Sequence, residues 1–129
     1  MDKKRFPGKK AVEYQKADLT DADLTDADLT VANLSNANLA WADLTDADLR
    51  YAKLTDADLA GANLTDADLT GADLAGAKLV SAKLVRAKLT GARLLGADLS
   101  NANLFGVDLS SADLRYAKLT GANLAGAIR

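Results

Sequence analysis

Leu19-Thr20-Asp21-Ala22-Asp23 runs directly into Leu24-Thr25-Asp26-Ala27-Asp28, and a leucine then returns at every fifth position as far as Leu124. No insertion or deletion breaks this register between Ala17 and Ala127, which gives 22 leucine centres. Ala lies two residues before each centre, except that Val107 precedes Leu109. The residue immediately before the centre is Asp, Asn, Lys or Arg, and the two that follow are mixed.

The residue types alone favour a helix, since Ala, Leu, Lys and Arg are good helix formers. The period forbids one. Five residues advance a helix by about 500°, or roughly 140° net, so successive leucines would spiral round it and leave no apolar stripe. A flat strand fails as well. Ala and Leu share one face, but an odd repeat sends the next pair to the other face. Both conflicts vanish if the chain bends once per repeat, with each Ala-x-Leu pointing inward and the residue between them outward. Such a chain winds as a solenoid whose coils hydrogen-bond to those above and below. The core-defining positions are then leucines such as Leu19, Leu24, Leu64, Leu84 and Leu104, with alanines such as Ala22, Ala62 and Ala82.

The phrase Ala-Asp/Asn-Leu-Thr/Ser-x, as in Ala17-Asp18-Leu19-Thr20-Asp21 and Ala102-Asn103-Leu104-Phe105-Gly106, resembles the pentapeptide-repeat family over residues 12–129. The resemblance implies an all-β fold, a right-handed, four-sided β-helix solenoid with one repeat per side and about 20 residues per coil. Twenty-two repeats would then make about 5.5 coils and a rod roughly 26 Å tall. Residues 1–11 are expected to form a flexible basic arm broken at Pro7-Gly8. Val12 and Tyr14 fall in the Ala and Leu register, so the β-helix is expected to span 12–129 and to open on a degenerate capping repeat.

The chain contains neither Cys nor His, which removes disulfides, thiolate metal sites, thiol nucleophiles and the imidazole base. It has no glycine-rich phosphate loop and no insertion from which to build a pocket. Exposed Asp pairs are expected to keep ordinary proton affinities, unlike working acid–base pairs, and no loop wraps an ion around a pair such as Asp23 and Asp26. We therefore expect a non-enzymatic protein with no cofactor, metal or small-molecule substrate. The N-terminus lacks the apolar core of a signal peptide. The uncharged, apolar-rich run Leu119 to Ile128 is far shorter than the roughly 20 residues of a membrane span. A cytoplasmic protein without a membrane partner is the expectation.

The net charge of −2 conceals a segregation: residues 1–16 sum to +4, residues 17–76 to −11, and residues 77–129 to +5. Such asymmetry concerns partners rather than fold. With a period of twenty, Asp26, Asp46 and Asp66 stack, flanked by Asp23 and Asp43, as a candidate acidic stripe. Lys78, Lys83, Lys88 and Arg93 occupy four successive pre-centre positions, one per side, and with Arg86 form a candidate basic belt. Trp41, Tyr51, Phe105 and Tyr116 are candidate exposed contacts, types favoured at interfaces. No aromatic platform interrupts the belt, so direct nucleic-acid binding is not expected. Leu119, Leu124 and Ile128 end the chain without a visible cap and form a candidate self-association end.

Three functions compete at this level. The first is a structural or interaction module, a rigid rod presenting patterned charge to a protein partner or to another copy. The second, implied by the resemblance, is a DNA-mimicking regulator that binds a type II topoisomerase such as gyrase. The basic final third, the absence of a loop insertion and an ending at Gly126-Ala127-Ile128-Arg129 without a terminal helix depart from that pattern. The third is a fragment or a designed repeat sequence with no biological partner.

Overall fold

The structure, a computed structural model, describes residues 17–129; the expected basic arm and the capping repeat before Ala17 lie outside the described residues. Every repeat makes the same tight turn. In the first, the Ala22 N–H donates to the Leu19 carbonyl at 3.0 Å, and Asp21, third of the four turn residues, has φ +58°. A positive φ at that position alone is the pattern of a type II turn. All 22 turns repeat it, with φ between +57° and +73°.

Between turns the chain is extended for a single bridging residue, the one before each leucine. These residues pair in parallel with the residue twenty positions on, from Asp18 with Asn38 to Asp108 with Ile128. The β-structure is therefore a stack of isolated bridges rather than of long strands. Four turns separate each bridging residue from its partner, so four walls enclose the core and residues twenty apart lie in one column.

The hydrogen bonds of one repeat are nearly a closed account. The Leu19 N–H donates to Asn38 at 2.7 Å, the Asn38 N–H to Ala17 at 2.9 Å, and the Asp21 N–H to Ala40 at 3.0 Å, each between layers. With the turn bond this satisfies four amides of five. The fifth, on the residue after leucine, is taken by the side chain two residues before it, as in Thr20 N–H to Asp18 Oδ1 at 3.2 Å. All sixteen described Asp and Asn residues at the bridging position make this bond. Asp and Asn are thus favoured there by the backbone, whereas Lys and Arg, which hold the position at Lys53, Lys78, Lys83, Lys88, Arg93 and Lys118, offer no acceptor.

The core between the walls holds only Leu, Ala and Val107; among the described residues no polar or charged side chain is buried. Leu19, Leu24, Leu64, Leu84, Leu104, Ala22, Ala62 and Ala82 all lie in it, as the period requires. Burying one leucine is worth about 1.5–3 kcal/mol, and the small alanines let the walls approach. Where Val107 replaces Ala, its turn bond to Leu104 stretches to 3.2 Å. In the last layer Ala112, Leu114, Ala117, Leu119, Ala122, Leu124 and Ala127 are only partly buried. Ile128 does not join this end of the core: it takes the outward bridging position opposite Asp108 and is 57% exposed.

Candidate interaction surface

Three outward positions decorate each repeat, and the fold constrains two of them. The bridging residue serves the turn, and the third turn residue must hold a left-handed backbone. Gly, Asn and Asp adopt that conformation most readily, and Gly, Asp, Asn or Ser fills it in seventeen of the turns. The exceptions are Val31, Trp41, Tyr51, Arg86 and Tyr116. Each such side chain costs about 1–2 kcal/mol relative to Gly, most plainly for the β-branched Val31 at φ +62°.

The acidic stripe comes together. Asp26, Asp46 and Asp66 occupy successive turns of one corner, and Asp23 bridges Asp43 on the adjoining wall. Asp28, Asp48 and Asp68 bridge in succession on the wall that follows. In the first three layers most of the negative charge lies on two adjacent walls, while the opposite walls carry Asp18, Asp56, Asp58 and Asp73 beside Lys53 and uncharged residues such as Val31, Asn33, Asn36, Asn38 and Tyr51. Charge is divided around the rod as well as along it.

The basic belt divides differently from the expectation. Arg86 belongs to the acidic corner, not to the belt: it sits in the turn above Asp66 and grips that carboxylate with Nε at 2.9 Å and Nη2 at 2.8 Å. Lys78, Lys83, Lys88 and Arg93 remain as a ring between two others. Below lie Asp58, Asn63, Asp68 and Asp73, and above lie Asp98, Asn103, Asp108 and Asp113, each bridged in order. Arg93 Nη1 reaches Asp73 Oδ2 at 2.8 Å. Lys78, Lys88 and Arg93 thus each have a carboxylate residue on either side in their columns, while Lys83 lies between two asparagines.

The carboxylates are not all ordinary, contrary to expectation. The Arg115 fork on Asp113 lowers its pKa to about 2. Side-chain bonds from Arg50, Arg86, Ser100 and Ser110 likewise lower Asp48, Asp66, Asp98 and Asp108. These shifts lead away from neutrality, so the groups hold charge and do not exchange protons near pH 7. Among the described residues no group of three or more carboxylates is placed to hold a metal ion, and no helix is long and apolar enough to cross a membrane.

The four exposed aromatics do not form one patch. Trp41 and Tyr51 stand at opposite corners, Tyr116 on the last layer at 87% exposure, and Phe105 beside its turn in the column of Val85. Trp41 is distinctive. A Cβ on Gly61, its counterpart one layer on, would collide with the indole, as one on Gly71 would collide with Tyr51. Each ring thus lies on bare backbone. Beside Trp41 a groove of about 310 Å³ runs between the layers, lined by Asp21, Asp23, Asp43 and Asn63 with Ala22 and Ala42. The sequence pattern had missed Asp21 and Gly61; the available signal was a Gly twenty residues after each of Trp41 and Tyr51.

A continuous solenoid of five-residue repeats, one tight turn each around a Leu and Ala core, defines a class of fold. The pentapeptide-repeat model matches in overlapping segments at residues 15–50, 42–79, 52–91, 82–115 and 92–128, and the chain belongs to that family. Its structural relatives carry the right-handed, four-sided β-helix. HetL, a pentapeptide repeat protein involved in heterocyst differentiation regulation in the cyanobacterium Nostoc sp. strain PCC 7120, is 43% identical, with 90% of this chain matched to 56% of that one and a TM-score of 0.61. A pentapeptide repeat protein of the Arabidopsis thaliana thylakoid lumen is 34% identical, with 78% matched to 63% and a TM-score of 0.58. QnrB1, a plasmid-mediated fluoroquinolone resistance protein, is 22% identical, with 87% matched to 69% and a TM-score of 0.56, a likeness of fold alone. The chain spans 56% and 63% of the length of the first two. Among curated proteins none matches it.

Proposed function

We propose that this chain is a non-enzymatic interaction module, a four-sided β-helical rod of about 20 residues per coil that offers an acidic side to a basic protein surface. The observation that carries the reading is the confinement of Asp23, Asp26, Asp28, Asp43, Asp46 and Asp48 to two adjacent walls. Like charges about 5 Å apart on neighbouring layers repel, and nothing in the turn requires Asp26 and Asp46 in particular, since Gly106 and Gly126 fill the same corner. A basic partner would relieve that repulsion and be steered onto the rod.

The DNA-mimicking alternative draws on the same walls. Duplex DNA carries one charge per about 1.7 Å, and the first layer, with Asp21, Asp23, Asp26 and Asp28 in about 4.8 Å of height, exceeds that density. The acidic walls extend over only three layers, about 14 Å of height, against the roughly 34 Å of a DNA turn. Arg86, Lys83 and Lys88 then reverse the sign. A localised protein contact fits this extent better than imitation of a duplex.

The test is affinity capture from the native host, comparing the protein with Asp26→Asn/Asp46→Asn. One partner, identified by mass spectrometry, retained by the parent at low salt, released at high salt and lost from the variant, is the expected result. Equal capture by both proteins contradicts the reading. Inhibition or protection of gyrase supercoiling at micromolar protein would favour the alternative.

A further inference from the structure

We infer that two copies of one surface element, residues 47–55 and 112–120, are equivalent docking points for a single acidic, extended segment of a partner protein. The phrase Ala-Asp-Leu-Arg-Tyr-Ala-Lys-Leu-Thr is identical in the two. Arg follows a leucine centre at these two places alone, and each time Tyr and then an outward Lys come after it. The geometry is duplicated as well. Arg50 forks onto Asp48 at 2.8 and 2.6 Å, and Arg115 onto Asp113 at 2.9 and 2.8 Å. Tyr51 and Tyr116 follow in the same turn position, 62% and 87% exposed.

The chemistry of the phrase selects an anion. Each fork uses Nε and Nη2 and leaves Nη1 over, and the Tyr hydroxyl and the Lys ammonium hold the next two outward positions. Asp cancels Arg, so Lys53 and Lys118 give each element one positive charge in excess, suited to a carboxylate. Arg and Tyr are also the residue types that anchor protein contacts. Asp56, Asp73 and Asp113 interrupt the positive charge of this side, which disfavours a continuous phosphate backbone.

Placement joins the two points into one site. The second lies three layers and one side beyond the first, about 16 Å higher, so Tyr51 and Tyr116 stand at the two corners of a single wall. Between them the corner positions are Gly71 and Gly91 above Tyr51, and Gly76 and Gly96 below Tyr116. With a side of about three extended residues the diagonal is about 19 Å, or six residues of extended chain, and residues six apart share one face of it. The inference concerns a wall other than the two acidic ones and does not rest on the proposed function.

The test titrates the isotope-labelled full chain with acetyl-Glu-Ser-Thr-Ser-Thr-Ser-Glu-amide, and in parallel with its single-Gln and double-Gln counterparts and an oligothymidylate. Amide resonances around Tyr51 and Tyr116 should shift together to one saturation, with an affinity about fivefold or more above that of either single-Glu peptide. Lys53→Asn/Lys118→Asn should lower the affinity about fivefold or more. Asn33 and Asn38 already hold the bridging position in those two columns, so this variant keeps the fold. Shifts at one element or at neither, equal binding of a single-Gln or the double-Gln peptide, or unchanged affinity in the variant overturns the proposal. Tighter binding of the oligothymidylate at these elements also overturns it, in favour of a nucleic-acid contact.

Discussion

The indole of Trp41 lies on the backbone of Gly61, so that the largest side chain on the rod rests on the smallest residue one layer away. Both occupy left-handed turn positions, at φ +62° and φ +67°. Gly91, also at φ +67°, faces open space. Gly91→Ala should therefore cost only its backbone strain, about 1–2 kcal/mol. Gly61→Ala should cost more and shift indole emission, because the new methyl group displaces the ring. Equal losses in denaturant unfolding with unmoved emission would refute the contact.

The sixteen Asp and Asn side chains that accept a turn amide predict an unusual gain of stability. Lys83 lies between Asn63 and Asn103 in its column, and Asn123 Nδ2 donates to Asn103 Oδ1 at 3.3 Å in the same column. Lys83→Asn should add the missing acceptor and extend that ladder, stabilising the rod by about 0.5–1.5 kcal/mol. Asp58→Ala should lose a similar amount, and Asp58→Asn little. Chemical denaturation of the three variants checks the order, and a destabilising Lys83→Asn would contradict it.

These cases show where the sequence was legible. Leu64 and Ala62 are buried as the five-residue period demands, because burial leaves one chemical solution per repeat. The columns followed too, since an unbroken register carries every outward residue to a fixed corner. The role of Asp58 was hidden, because an Asp that accepts a backbone amide and an Asp that faces water read alike in one dimension. Arg86 was assigned to the belt by sign and proximity in sequence, whereas its turn position carries it over Asp66. Ile128 was grouped with Leu119 and Leu124 at the open end by hydrophobicity, whereas its register places it on the outward bridging position.

The lowered carboxylates fix the direction of acid sensitivity. Asp113 is held at about 2 against an ordinary 3.8, so the folded chain binds its proton more weakly than the unfolded chain. That contribution is complete above the unfolded value and is lost as pH falls through the folded one. Asp48, Asp66, Asp98 and Asp108 shift the same way. Thermal stability should be level near neutrality and decline between about pH 4 and pH 2. Arg115→Gln should shallow the decline, and an unchanged slope would exclude the fork as its source.

The partly buried Leu114, Leu119 and Leu124 leave apolar surface and unpaired bridging groups on the last layer. The 129-residue chain should associate through it as concentration rises, by sedimentation velocity. Leu119→Lys/Leu124→Lys should hold it monomeric. A parent chain monomeric at high concentration would contradict this, and association undiminished in the variant would place the contact elsewhere.

Every surface column, and with them the acidic walls and the Trp41 groove, depends on the interval of twenty between bridged residues. Two deletions test it directly by thermal unfolding: residues 61–80, one whole layer, and Thr65-Asp66, two residues within a single turn. The larger deletion should leave a shorter rod with one cooperative transition, and the smaller should break the register and melt the layers around it. Equal stability of the two, or greater stability of the two-residue deletion, would contradict the stacked architecture.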